Sequence, residues 1–272
     1  MKKKMLSLAL ASMMVMSLSA CGASEAEEAK VQVTDTVATE VDNVFVVGFD
    51  QEFPPMGFVD ENGEFTGFDL ELAAEAAKRM DMELQLQPIA WDAKDMELES
   101  GTIDCIWNGF TMNGREDSYT WTDAYMDNTQ VFVVNADSGI ETLADLAGKT
   151  VEVQADSSAE AALKDKPDLM STFGTVQTTP DYNTAFMDLE MGAVDAIAMD
   201  IIVAGYQIEQ RQNSCIILEE SIASEQYGIG FKKGNEALRD KVQEALEEMA
   251  ADGTMTEISM KWFGEDVTTI GK

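Results

Sequence analysis

Histidine is absent from the 272 residues, and only four arginines, Arg79, Arg115, Arg211 and Arg239, occur beside a large acidic excess. Without imidazole the chain lacks the usual side chain for moving protons near neutral pH, so acid-base work would fall to Asp and Glu. Lys and Arg together number 18 against 51 Asp and Glu, a formal charge of −33. That balance disfavours nucleic acid as a partner and names no ligand by itself, since strong negative charge is commonly a solubility trait. A membrane-spanning helix is also lacking at the start. The uncharged stretch from Met5 to Ala20 is shorter than the ~20 apolar residues a bilayer requires.

That stretch follows Lys2, Lys3 and Lys4 and ends in Leu18-Ser19-Ala20-Cys21. A charged start, an apolar middle and small residues before a border cysteine read as a secretory signal over 1–20. The last four residues resemble the lipobox of bacterial lipoproteins, which implies a lipid on Cys21. Residues 21–42 hold Ala, Glu, Thr, Ser and Val without an aromatic or a periodic apolar face. Such a segment cannot bury enough surface to offset its ordering entropy and reads as a tether. Cys105 and Cys215 are expected to be free thiols, although an oxidising exterior permits a bridge.

Leu98-Glu99-Ser100-Gly101-Thr102-Ile103-Asp104-Cys105-Ile106 returns 91 positions later as Leu189-Glu190-Met191-Gly192-Ala193-Val194-Asp195-Ala196-Ile197. Each copy reads as a helix end, a glycine cap and a buried strand. Chance recurrence of common α/β joints is the alternative; a duplication predicts two similar lobes. The expected division is 43–129 with 224–272 for the first lobe and 130–223 for the second. The first contains strands from Val44 and Leu84, a helix from Gly67-Phe68-Asp69, a short helix after Trp91 and a strand from Ile103 to Trp107. In the second, strands begin at Thr150, Thr175 and Ala196, with helices from Leu143, Ala159, Asn183 and Ile201 between and after them. Gln130–Asn135 is read as the first crossing and Tyr227–Phe231 as one strand. Helices from Gly234 and Thr254 close the chain, the latter bringing Trp262-Phe263 to the first core.

Polar residues leave the repeated strands, where ligands bind in open α/β sheets. Asn108-Gly109-Phe110-Thr111 follows one copy and Asp200 the other. A free amino acid needs a fork of donors for its carboxylate and an anion for its ammonium. Arg115, alone among the arginines in a predicted loop, suits the first task, with a structural salt bridge as the alternative. Gln154-Ala155-Asp156-Ser157-Ser158 opens a helix whose N-H groups and hydroxyls could add donors, or Ser157 or Ser158 could simply cap it. Asp200 suits the ammonium, with helix capping as its alternative. Phe53 and Trp91 are loop aromatics that could flank a ligand or belong to a core.

Taken in order, Val47-Gly48-Phe49-Asp50, Phe53-Pro54-Pro55, Gly67-Phe68-Asp69-Leu70, Trp91, Asn108-Gly109-Phe110-Thr111, Arg115, Gln154–Ser158 and Met199-Asp200 resemble the family 3 bacterial extracellular solute-binding proteins. The resemblance implies a type II periplasmic-binding-protein-like α/β fold, with two lobes joined by two crossovers around a ligand cleft. It implies an L-amino acid between Phe53 and Trp91, with Gly109 and Thr111 taking part in α-group binding. Arg115, Ser157 and Ser158 would hold the carboxylate and Asp200 the ammonium, while Asp50 and Gln154 meet a polar or cationic side chain. An ABC permease with its ATPase would be the partner; no cofactor or metal is implied, and a monomer is expected. The Thr111–Arg115 interval is one residue shorter than usual in that family, and Asp156 stands where glycine is common. A dehydratase on this scaffold and a sensing lipoprotein without a permease are the rival readings.

Overall fold

The computed structural model describes residues 43–272, so the signal, Cys21 and the tether lie outside the described residues. The chain begins with β1 (Val44–Phe49), followed by a small antiparallel sheet of β2 (Glu52–Phe53), β3 (Gly57–Val59) and β4 (Phe65–Thr66). Helix α1 (Phe68–Arg79), β5 (Glu83–Pro88), a 3-10 turn at Trp91–Ala93, α2 (Lys94–Ser100), β6 (Cys105–Ile106) and β7 (Thr120–Trp121) come next. The long β8 (Met126–Asn135) leads to a 3-10 turn at Leu143–Leu146, β9 (Thr150–Gln154), α3 (Ser158–Lys164), α4 (Pro167–Met170) and β10 (Thr175–Thr179). Then follow α5 (Tyr182–Glu190), β11 (Ala196–Asp200), α6 (Ile201–Gln210), β12 (Cys215–Ile217) and β13 (Ala223–Tyr227). The chain returns through β14 (Gly230–Phe231), α7 (Glu236–Asp252) and α8 (Thr254–Phe263).

Two mixed sheets form two lobes, the architecture that the resemblance implies. Their orders are β5-β1-β6-β14-β7 and β10-β9-β11-β8-β12, with β13 also paired to β8. In each, three parallel strands are followed by an antiparallel one. Alternation along the strands explains the layers, because neighbouring side chains point to opposite faces. Phe132, Val134, Ala196 and Ala198 join the core beneath α3, while Val131, Val133, Ile197 and Met199 join Phe186 and Leu189 of α5. The stripe on α1 holds Leu72, Ala73, Ala76 and Ala77, and Phe263 of α8 meets Phe68 edge-on at 5.0 Å.

The repeated segment performs the same task twice. Gly101 and Gly192 adopt φ of 78° and 72°, which glycine takes without the Cβ penalty, and turn the chain out of α2 and α5. Asp104 then exchanges two hydrogen bonds with Val46: its N-H donates to the Val46 carbonyl at 2.8 Å and its Oδ2 accepts from the Val46 N-H at 2.7 Å. Asp195 makes the same exchange with Thr150 at 2.9 and 2.8 Å. Each aspartate therefore fastens its own strand to the central parallel strand of its sheet.

Two expected elements differ. The segment 227–231 is not one strand: Tyr227 ends β13 in the second sheet, and Gly230 begins β14 in the first. The change of sheet occurs at Gly228-Ile229, where a Cβ on Gly228 would collide with Met112. Likewise β8 begins at Met126, four residues before Gln130, because it pairs with β13 from Met126↔Tyr227 to Gln130↔Ala223. The expected divisions after residues 129 and 223 fall inside this two-stranded ladder. Cys105 and Cys215 are free and buried in different sheets. Among the described residues, no helix is long and apolar enough to cross a membrane.

Candidate functional site

The carboxyl ends of β6 and of β9 and β11 face one another across a narrow, nearly closed pocket. Its lining comprises Phe53, Trp91, Asn108, Gly109, Thr111 and Arg115 from the first lobe, and Gln154, Ser157, Ser158 and Asp200 from the second. Ten of the eleven residues expected at a binding site thus line one pocket, from its two sides. Asp50 lines an adjoining hollow that shares Trp91, and its Oδ2 accepts from Gln154 Nε2 at 2.7 Å. Burial pushes the Asp50 carboxyl up to about 6, against the pull of its bonds from Glu52 and Gln154.

Arg115 is the one arginine of the four with no carboxylate within 4.0 Å among the described residues, so the salt-bridge alternative is not what the structure shows. Its Nη1 donates to the Thr111 carbonyl at 3.2 Å, its Nη2 to the Asp156 carbonyl at 3.4 Å, and the guanidinium lies 5.2 Å from the Phe110 ring centre. Two carbonyls and a ring hold the head without neutralising it. A cation in that condition is available to a carboxylate, which it can grip with two parallel bonds.

The second-lobe donors divide their tasks. Ser157 caps α3, its Oγ accepting from the Glu160 N-H at 3.1 Å. Ser158 does not cap; its Oγ accepts from Gln130 Nε2 at 3.0 Å and lies 3.4 Å from Glu225 Oε1. Asp156 takes a left-handed φ of 58°, and its carboxylate pairs with Lys94 from the first lobe. That pairing accounts for an acid beside the carboxylate donors. The Lys94 ammonium is buried, lies 5.1 Å from the Trp91 ring centre and reaches the Asp156 carbonyl at 3.2 Å. Burial lowers its pKa, and Asp156 opposes the shift.

At the opposite end Asp200 makes no side-chain cap for α6. Its Oδ1 accepts from Tyr227 Oη at 2.6 Å, Asn128 Nδ2 at 2.7 Å and Gln130 Nε2 at 2.9 Å. The same two amides also donate to Glu225 Oε1, each at 2.7 Å, and Thr111 Oγ1 donates there at 2.7 Å. Burial first, and the charge of Glu225 second, push the Asp200 carboxyl up to about 7. Tyr182, with its pKa raised by burial, stands near the pair through α5. Neither carboxylate has a lysine or arginine within 4.0 Å among the described residues. Trp91 Nε1 and Asn108 Oδ1 are buried without a hydrogen-bond partner.

Sequence reading missed Asn128, Gln130, Glu225, Tyr227 and Lys94. The first four lie at alternate buried positions of β8 and β13. Period-two alternation of polar residues was the signal available. It was obscured because Gln130 opens an apolar run that reads as packing.

The family model for bacterial extracellular solute-binding proteins, family 3, matches residues 45–265. The chain belongs to that family. It is accordingly a solute-binding receptor of the extracytoplasmic space and not an enzyme. The chain is similar to the L-cystine-binding protein TcyJ of Escherichia coli, 33% identical over 82% of this chain and 84% of that one. The L-cystine-binding protein TcyA of Bacillus subtilis is 30% identical over 98% and 100% respectively. Among solved structures, an ABC uptake transporter substrate-binding protein from Streptococcus pneumoniae with bound histidine superimposes with a TM-score of 0.81. It is 35% identical, covering 84% of this chain and 95% of its own.

Proposed function

We propose that this receptor binds one L-amino acid between its lobes and presents it, with the lobes closed, to an ABC importer. The observation that carries the reading is one small cavity with an uncompensated guanidinium at one end and an uncompensated carboxylate at the other. A zwitterion satisfies both. Arg115 takes the carboxylate with help from the α3 N-terminus, Asp200 takes the ammonium, and Phe53 and Trp91 flank the carbon skeleton. Asp50 and Gln154 at the remaining side favour a polar or cationic side chain. The relatives named for L-cystine and the neighbour holding histidine support an amino acid as the solute class. A lipid on Cys21 would keep the receptor at the membrane through the 21–42 tether.

A thermal-shift screen across the amino acids, including cystine and ornithine, tests the reading. Charge-assisted hydrogen bonds of ~1.5–3 kcal/mol each can supply the roughly −8 kcal/mol of a micromolar complex after ordering losses. Arg115→Ala is expected to weaken the best amino acid by about 100-fold in calorimetry, roughly 3 kcal/mol. The ligand-free melting temperature should stay nearly unchanged, because Arg115 anchors no carboxylate. An Arg115→Ala protein with normal affinity would remove that residue from the site.

A further inference from the structure

Asp200 and Glu225 meet in an arrangement that two independent acids rarely tolerate. They come from different strands, are 3% and 6% exposed, and draw on the same two amide nitrogens, so that Asn128 Nδ2 and Gln130 Nε2 each lie within 2.9 Å of both. Every group packed against them is neutral or anionic. Besides those amides from β8 there are Tyr227 from β13, Tyr182 from α5, Ser158 from α3 and Thr111 from the first lobe. Arg115, held to carbonyls at the carboxylate end, lines the cavity with Asp200, and Glu225 lines the adjoining hollow with Arg115, Lys164 and Lys166; none of these cations comes within 4.0 Å of either acid among the described residues.

Two like charges sharing donors in a buried site do not both ionise at neutral pH; they titrate as one unit. Resting on the amino acid reading above, we infer that Glu225 is a second anion of the ammonium subsite. The ligand-free Asp200–Glu225 pair holds one shared proton, which the incoming ammonium displaces to solvent. The charge balance is simple. The pair with one proton carries −1; with the proton gone and an ammonium in place, pair and cation again sum to −1. The buried charge is therefore the same before and after binding, and no second carboxylate has to be neutralised from elsewhere. Glu225 also serves selection, since an ammonium displaces the proton and a neutral amide or hydroxyl at that position does not.

Two measurements on the receptor test this separately. The first needs no ligand: infrared spectra near pH 6 of the wild type should contain a protonated-carboxyl band that is lost in both Glu225→Gln and Asp200→Asn, while the bands of Asp69 and Asp50 persist. Two variants guard against one failing to fold. The second is calorimetry with L-arginine and with L-cystine in buffers of different ionisation enthalpy. About one proton should leave per amino acid bound near pH 6, and Kd should fall as much as tenfold per pH unit between about pH 5.5 and 6.5. Glu225→Gln should lose most of the release and flatten the slope. Binding with no proton release, a release that Glu225→Gln retains, or an infrared band unchanged in both variants would overturn the inference. Absence of binding heat with the infrared band present would count against the amino acid reading and support the shared proton.

Discussion

At the scale of single residues, Lys94 and Asp156 show how a left-handed backbone position can carry charge. Asp156 keeps the left-handed backbone that starts α3, a conformation that aspartate tolerates better than most residues. Its carboxylate crosses to a lysine that is otherwise surrounded by ring and backbone. The pair joins the two lobes only while they are closed, so it bears on opening more than on folding. Because the Asp156 side chain is 57% exposed, solvent screens the interaction to about 1 kcal/mol. Asp156→Gly relieves the backbone and removes the partner of a buried ammonium. Stopped-flow release of the bound amino acid is expected to quicken about fivefold with the association rate within twofold, as losses of contact usually appear in dissociation. Unchanged release would show that closure does not draw on this pair.

At the scale of elements, the duplicated passage was the part most legible in the sequence, and its physical basis explains why. A glycine cap and a strand-fastening aspartate depend on local backbone geometry, so they leave a local pattern at 101–104 and 192–195. Removing either aspartate leaves a strand N-H without its acceptor. Asp104→Ala and Asp195→Ala should each cost about 1 kcal/mol by urea unfolding. Faster amide exchange should be confined to β1 and β6 in the first variant, and to β9 and β11 in the second. Exchange spreading over both sheets from one substitution would refute the equivalence. What the sequence concealed was non-local. Glu225 and Asn128 meet only because β13 returns antiparallel to β8, and Gly228 at the switch of sheets packs against Met112, over 100 positions away. No window along the chain contains both sides of those contacts. Most of the eleven expected site residues follow a strand or begin a helix, places that local pattern marks, and the family resemblance supplied the role proposed for each.

For the whole molecule, acids dominate and the buried ones set the pH response. Burial raises Asp69 to about 7, Asp200 to about 7 and Asp50 to about 6, all from an ordinary 3.8. Between about pH 4 and 7 the folded state therefore binds more protons than the unfolded chain, and stability falls as pH rises through that window. Self-repulsion among the excess carboxylates acts in the same direction. Asp252 at about 2 and several other lowered acids withdraw stability only below that range. Ligand-free protein should thus melt at least about 3 °C higher at pH 5 than at pH 8, the shift that roughly 1 kcal/mol produces at this size. A melting temperature that rises toward pH 8 would contradict the buried acids. Closure is the second property of the whole. Asp50–Gln154, Lys94–Asp156 and Asn183–Glu52 bridge the lobes around the cavity, and the ladder Met126–Gln130 with Ala223–Tyr227 is the antiparallel pair of crossings on which they would swing. Thr111–Glu225 and the bond from Arg115 to the Asp156 carbonyl join those three bridges, and each of these polar bridges is one that water can replace when no zwitterion lies between Arg115 and Asp200. The radius of gyration from small-angle scattering should accordingly fall when the best amino acid from the thermal-shift screen is added at saturation. Equal radii with and without it, at concentrations where calorimetry shows binding, would mean that the lobes are already closed and that entry depends on local opening at the Lys94–Asp156 edge.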